Sequence, residues 1–269
     1  MAQKKVRAKD LKKQRWAGIV AAILALGMLV SLVGAYIGQA IGGGGTPFPE
    51  QQVEPEPEDY LTYYEGEVER LEAYVEEHGA SEAVLLELAE NYRYLTIVQQ
   101  IFFDDQEAIE QYQDKLISTF ADLVDLLPAN PQYRLELAYL YQEGQKDKQL
   151  IIDEIFALQD LLRDNPDPMY HLSMIQLLDS IGEDDIKEEE IMLLQETLED
   201  RIAGGLADNE ERFYYAVLLG EYLDDTAEAR GILEAILQQE SEESMIYQNA
   251  LAYLDYFSND NRGQDIIID

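Results

Sequence analysis

From about residue 59 onward, apolar residues recur at spacings of three and four along most of the chain. This period matches one face of an α-helix, and no segment alternates apolar and polar residues long enough to predict a strand. Turn-forming proline, glycine and aspartate interrupt the pattern at residues 128–131, 165–168, 204–205 and 224–225. The sequence therefore predicts an all-α domain over residues 59–269.

The same periodicity places the individual helices. One helix is predicted over residues 59–77, ahead of a series of helical pairs. The first helices of the pairs are predicted near residues 81–98, 132–143, 167–180, 209–222 and 244–256. The second helices are predicted near residues 105–127, 147–163, 186–203 and 226–239. The last pair is incomplete, because only the apolar residues 264–268 stand where its second helix should begin.

A different pattern fills residues 17–41, which are apolar or small and include no charged side chain. About 20 such residues cross a bilayer core as a helix, so this stretch predicts a single N-terminal transmembrane helix. A cleavable signal peptide is the alternative interpretation, although its apolar region is usually only about 7–15 residues long. Trp16 precedes the run, at a place where its ring favours the membrane interface.

The charges divide at this predicted helix. Of the 19 Lys and Arg residues seven precede it, whereas of the 55 Asp and Glu residues only Asp10 does. The positive-inside bias puts residues 1–16 in the cytoplasm as a basic stub, and the C-terminal domain outside the cytoplasm. We therefore expect a single-pass protein of the cell membrane. Residues 42–58, rich in Gly, Pro and Glu, are expected to form a flexible linker.

Residues 46–269 carry the other 12 basic and 54 acidic side chains, a net charge of −42. Such a surface repels nucleic acid and anionic lipid, so nucleic-acid binding is excluded.

Small residues along the apolar run 17–41 and just after it follow a helical spacing at Gly27, Ser31, Gly34, Gly38 and Gly42. Small residues on one face allow close packing of membrane helices. An alternative function is therefore a structural one, self-assembly into a homo-oligomer through this glycine-rich face.

Internal repeats accompany the predicted helices. Residues 86–92 (LELAENY) return almost unchanged as residues 135–141 (LELAYLY). Small residues occupy comparable places in the five first helices, at Ala89, Ala138, Ser173, Ala216 and Ala250. In this pattern a large residue precedes the small one and an aromatic residue follows it three positions later. The whole pattern recurs at a period near 34, and it resembles the tetratricopeptide repeat (TPR) family over about residues 81–269. Two of the intervals between the small residues are longer than that period.

The resemblance implies a solenoid of helical hairpins that binds proteins rather than small molecules. In TPR proteins, first-helix side chains beside the small position often point into a concave groove. In this chain those positions are Glu90, Arg93, Tyr139, Gln142, Tyr170 and Phe213. An acidic groove favours a protein partner with a basic or amphipathic segment. The chain thus looks like a bacterial, membrane-anchored TPR scaffold that binds envelope or secreted proteins.

The sequence offers little for catalysis. It has no cysteine and only two histidines, so thiol chemistry and most histidine-based metal sites are ruled out. His78 and His171 stand apart and are interpreted as ordinary surface or packing residues. Residues 258–263 weakly resemble the start of a calcium loop, but Arg262 would oppose the cation. We therefore expect a protein without enzymatic activity, bound metal or cofactor.

Overall fold

The computed structural model of the chain describes residues 56–258, which form ten α-helices and one short π-helical segment. The α-helices are α1 (Pro57–His78), α2 (Glu82–Val98), α3 (Gln106–Leu126), α4 (Pro131–Glu143), α5 (Lys148–Leu162), α6 (Pro168–Ile181), α7 (Asp184–Ala203), α8 (Asn209–Glu221), α9 (Thr226–Gln239) and α10 (Met245–Ser258). No strand occurs between residues 56 and 258. The prediction of an all-α domain is confirmed, and each predicted helix lies within two residues of its observed bounds.

Several predicted segments lie outside the described residues. They are the basic stub (1–16), the transmembrane helix with its glycine face (17–41), nearly all of the linker (42–58) and the apolar segment 264–268. Within the described part, none of the helices combines the length and the apolar character that crossing a membrane requires.

Short polar side chains begin most of the helices. A side-chain oxygen accepts a hydrogen bond from a first-turn backbone N–H at Asp105, Asn130, Asp147, Asp167, Asp208 and Asp225. Pro131 and Pro168 follow two of these caps, at a helical position where the missing N–H of proline costs nothing. Asn130-Pro131, Asp167-Pro168 and Asp225, which interrupt the apolar pattern, thus also start the next helix.

The helices pack as successive hairpins. α2 packs against α3, α4 against α5, α6 against α7, and α8 against α9. In addition, α4 contacts α6, α6 contacts α8, and α8 contacts α10, so the first helices form a layer of their own. α1 packs against α2 at the N-terminal end of this stack. α10, the first helix of the last pair, is the final helix of the described part.

One continuous apolar core runs through the stack because single helices take part in two neighbouring clusters. Leu137 of α4 belongs to the cluster formed with α1–α3, whereas Ala138 packs into the cluster formed with α5 and α6. On α6, Met174 belongs to that second cluster and Ile175 to the third, which extends to α10. Each hairpin therefore shares its apolar core with its neighbours, as in repeat proteins.

Four of the five predicted small positions lie in helix contacts. Ala89 is 4% exposed, and Ala138, Ala216 and Ala250 are 0% exposed. Ser173 is only half-buried, and its hydroxyl donates to the Met169 carbonyl at 2.9 Å. Ser173 therefore does not act as a fully buried small residue, whereas the neighbouring Leu172 is 4% exposed.

The sequence pattern did not predict the π-helical segment Gln99–Phe103 at the end of α2. There the Asp104 N–H donates to the Gln99 carbonyl at 2.7 Å, five residues back, and Asp104 adopts φ 54°. The widened turn ends α2 without proline or glycine, which are the residues that usually announce a helix end.

Candidate functional site

The layer of first helices exposes one continuous side, which we call the first-helix face. It is formed by Glu90, Arg93 and Tyr94 of α2, by Glu136, Tyr139, Gln142 and Glu143 of α4, and by Ser173 of α6. All of these side chains are half-buried or exposed. Four of the six residues predicted from the TPR register therefore lie on this face: Glu90, Arg93, Tyr139 and Gln142.

An ion pair joins two successive hairpins on the first-helix face. The Arg93 guanidinium of α2 donates a hydrogen bond to the Glu136 carboxylate of α4. Both side chains are partly shielded from water, which reduces the screening of their attraction. Because Arg93 is paired with Glu136, its positive charge only partly offsets the charge of the other carboxylates around it.

Glu90 lies beside two tyrosine rings. Burial raises the pKa of its carboxyl group, and the neighbouring Tyr94 hydroxyl and the more distant Arg93 offset this only in part. Tyr94 stacks on Tyr64 of α1, with ring centroids 4.9 Å apart and an interplanar angle of 16°. Burial, together with the neighbouring tyrosines and Glu90, raises the pKa of Tyr64 to about 12. A carboxylate and an aromatic pair thus share one end of the face.

Glu143 is the second carboxylate of the face with a raised pKa. Its side chain is exposed to water, yet protein atoms surround it closely enough for desolvation to raise its pKa. Arg93 lowers this pKa again in part, and Glu136 raises it further.

Tyr139 continues the face toward the C-terminal hairpins. Burial raises the pKa of Tyr139, and the Ser173 hydroxyl of α6 lies close enough to lower it again in part. Tyr222, at the end of α8, also lies near Tyr139. Burial, followed by the charges of Asp179 and Glu221, raises the pKa of Tyr222 to about 12. Tyrosine hydroxyls at this end are therefore neutral hydrogen-bonding groups.

Of the remaining two predicted residues, one needs correction. Phe213 is 1% exposed and packs edge-on against the ring of Tyr253, so it lies in the core and offers no surface to a partner. Tyr170 is half-buried and packs against the second apolar cluster. The error at Phe213 follows from extending the repeat register too far along the chain.

Many other tyrosines connect helices. The hydroxyl groups of Tyr92, Tyr112 and Tyr133 donate to the carboxylates of Glu72, Glu65 and Glu82 on neighbouring helices, at 2.6, 2.8 and 2.5 Å. Burial, followed by the bonded carboxylate, raises the pKa of each of these hydroxyls. Tyrosine thus serves as a neutral partner for carboxylates where arginine and lysine are scarce.

The two histidines take no part in the first-helix face. His171 of α6 is hydrogen-bonded through Nδ1 to Glu190 of α7, and both are buried. Gln159 of α5 donates to the other Glu190 oxygen at 2.6 Å, so this cluster ties three helices together. His78 ends α1 on the surface, 3.2 Å from the Tyr74 carbonyl. Residues 56–258 hold no group of three side chains placed to bind a metal ion.

An open cavity of about 430 Å³ lies between α7, α8 and α9. Its walls are mainly apolar, from Ile202, Ile232 and Ile236, and Arg212 and Glu228 also line it. An arginine there would suit an anionic ligand, but the surplus of acidic residues repels anions from the whole domain. The cavity is therefore a weaker candidate site than the first-helix face.

No protein-family model matches the sequence, and no curated protein matches it either. Evidence for a function therefore comes from the first-helix face itself. That face combines rigid aromatic rings with two desolvated carboxylates, a composition suited to recognising a positively charged segment of another protein. The TPR register alone did not find Tyr64, Tyr94 and Glu143. For Tyr94 and Glu143 the signal in the sequence was helical spacing, since each follows a predicted residue by four positions.

Proposed function

We propose that the chain is a membrane-anchored scaffold or adaptor that binds a protein partner through its first-helix face. The observation that carries this proposal is the partial exposure of Tyr94, Tyr139 and Glu90, together with exposed Glu143, on one side of the hairpin stack. Tyrosine supplies contact area at a low entropic cost, and carboxylates select a partner of opposite charge. A basic or amphipathic segment of an envelope or secreted protein is the occupant that fits best.

The hairpin stack is best explained as a TPR-like solenoid. Support comes from the buried alanines Ala89, Ala138, Ala216 and Ala250, which occupy the places where that family needs a small side chain. Stacked hairpins of this kind offer an extended surface for one continuous stretch of a partner. Binding, rather than chemistry, is the activity that such a surface supports.

The N-terminal residues would hold this surface at a membrane. The basic residues before the uncharged run at 17–41 favour a cytoplasmic N-terminus and an extracytoplasmic hairpin domain, in a bacterial envelope. A flexible tether keeps the domain close to the bilayer and raises its effective concentration for partners there. Recruiting or positioning another envelope protein is therefore the role we propose.

Co-purification from membranes of the native host tests the binding role. The Gln142→Arg variant places a cation on the first-helix face, whereas Gln238→Arg makes the same change on the exposed part of α9. We expect Gln142→Arg to lose the co-purified partner and Gln238→Arg to retain it. Equal retention by both variants, or loss caused only by Gly38→Leu in the predicted membrane helix, would contradict a partner site on this face.

The proposed orientation has a separate test. Because the chain has no cysteine, Gln3→Cys and Glu234→Cys each introduce a single reactive thiol. A membrane-impermeant maleimide should label Glu234→Cys in intact spheroplasts and label Gln3→Cys only after lysis. Labelling in the opposite order would reverse the orientation, and full access to both sites would argue against a membrane-crossing segment between them.

A further inference from the structure

The pKa values of the Glu90 and Glu143 carboxyl groups are both raised. In each case burial is the main cause, and in each case Arg93 is the cation that offsets it in part. Arg93 is itself paired with Glu136. The first-helix face therefore holds two desolvated carboxylates and no cation devoted to either.

Cations elsewhere in the described residues mostly have acidic partners already. Arg70 pairs with Glu67 and Glu87, Lys115 with Glu72, Arg134 with Glu154, and Lys187 with Asp179 and Asp184. Within that same part of the chain, neither Glu90 nor Glu143 forms an ion pair, although they lie on a surface shared with Arg93. A basic side chain of a partner can therefore pair with Glu90 without breaking an ion pair of this protein.

The surroundings of Glu90 favour one kind of positive charge. Tyr94, beside this carboxylate, stacks on Tyr64, and Tyr63 packs edge-on against Tyr64 at 5.2 Å. Tyrosine rings attract cations that lie over their faces. An arginine side chain can stack on a ring and pair with a carboxylate at the same time, because its guanidinium group is planar. A lysine ammonium group can make the same two interactions less completely.

We propose that Glu90, Tyr94 and Tyr64 form a subsite for an arginine or lysine side chain of the protein partner. This inference rests on the proposed binding function of the first-helix face. It specifies that function further: the partner segment carries a basic residue that pairs with Glu90 and lies against an aromatic ring.

Binding of a short basic peptide to the detergent-solubilised full chain tests the subsite. The probe is a fluorescently labelled tri-arginine peptide, measured by anisotropy at about 150 mM salt, where long-range attraction is screened. Glu90→Gln is compared with Glu234→Gln, which removes one charge from the exposed part of α9. Tyr94→Leu is compared with Tyr74→Leu, which removes an exposed tyrosine of α1 away from the face. Thermal unfolding of every variant verifies that it is folded.

We expect Glu90→Gln and Tyr94→Leu each to weaken peptide binding about fivefold, the loss typical of one partly desolvated ion pair or cation–π contact. Glu234→Gln and Tyr74→Leu should change it less than twofold, and Tyr94→Phe, which keeps the ring, should retain binding. If Tyr94→Leu is unfolded, the two glutamine variants decide the result.

Equal losses in the two glutamine variants would show attraction by net charge alone and would overturn the subsite. A loss in Glu90→Gln with none in a folded Tyr94→Leu would overturn its aromatic part. The proposed function fails separately, if Gln142→Arg and Gln238→Arg retain the native partner equally. In a further outcome, Gln238→Arg retains the partner and Gln142→Arg loses it, but Glu90→Gln binds the peptide as well as the parent does. That outcome would support the proposed function and overturn the subsite.

Discussion

Arg93 of α2 and Glu136 of α4 form an ion pair that joins the first helices of two successive hairpins. The Arg93 side chain is 25% exposed and that of Glu136 is 34% exposed. Because the pair engages the guanidinium that lies near Glu90 and Glu143, it fixes the two helices and leaves those carboxylates incompletely compensated. One contact thus shapes both the stability and the electrostatics of the first-helix face.

A double-mutant cycle with Arg93→Gln and Glu136→Gln should give a coupling energy of about 0.5–1 kcal/mol, as expected for a partly shielded ion pair. The control is Arg163–Asp160, a pair within one turn of the chain whose side chains are 73% and 69% exposed. Its coupling should be smaller, because water screens it more strongly. Urea unfolding of the four proteins in each cycle measures both energies, and equal couplings would contradict the importance assigned to Arg93.

Glu90→Gln should stabilise the protein near neutral pH, whereas Glu72→Gln should destabilise it. The raised pKa of Glu90 means that folding favours its protonated form. It therefore adds stability below the ordinary pKa of 4.5, and this stability is lost as the pH rises. The lowered pKa of Glu72 means that folding favours its carboxylate, because Lys115 and Tyr92 donate hydrogen bonds to it. It therefore adds stability above 4.5, and this stability is lost as the pH falls.

Urea unfolding at about pH 7 and about pH 4 measures both effects, and the differences between variants and parent should shrink at the lower pH. Lower stability of Glu90→Gln at neutral pH would mean that this carboxylate is already satisfied within the protein. The subsite proposed around it would then lose its main physical reason.

The sequence predicted the helices well because each depends on local information. Apolar period, aspartate or asparagine caps and following prolines are all visible in the chain, as at Asn130-Pro131 and Asp167-Pro168. The π-helical turn after Val98 was not predictable in this way, since Asp104 ends it in a left-handed conformation without a glycine signal. On α6, Ser173 resembles a small packing residue in sequence, but its side chain is only half-buried.

The site was predicted in part, for a related reason. The TPR register selected Glu90, Arg93, Tyr139 and Gln142, which are half-buried in the structure, because each lies at a fixed offset from a buried alanine. It could not show that Tyr64 of α1 stacks on Tyr94, since this contact depends on how α1 docks. It also misplaced Phe213, whose exposure depends on the packing of Tyr253 from α10.

Two glycines should respond in opposite ways to replacement by alanine. A Cβ at Gly220 of α8 would lie 2.2 Å from the ring of Phe257 on α10, so Gly220→Ala should destabilise by about 1–3 kcal/mol. A Cβ at Gly231 of α9 would meet no atom within 4 Å, so Gly231→Ala should stabilise its helix by about 0.5–1 kcal/mol. Thermal unfolding compares the two. A neutral Gly220→Ala would show that α8 and α10 are not so closely packed.

The buried pair His171–Glu190 should be costly to break and cheaper to replace as a whole. Glu190→Leu alone leaves buried polar groups of His171 and Gln159 without their partner, and should destabilise by about 3 kcal/mol. Adding His171→Phe should recover part of that loss, because an apolar pair of similar size needs no hydrogen bonds. Urea unfolding measures both proteins. Additive losses in the double variant would show that the two side chains are not coupled.

Photo-cross-linking in living cells of the native host tests partner binding most directly. The photoreactive residue p-benzoyl-phenylalanine replaces Gln142 on the first-helix face or, as the control, Glu234 on α9. We predict that the probe at residue 142 captures one predominant envelope or secreted protein, that Glu90→Gln reduces its yield, and that the probe at residue 234 does not capture it. Capture of the same proteins from both positions, or of none from residue 142 in a stably produced chain, would contradict binding through the first-helix face.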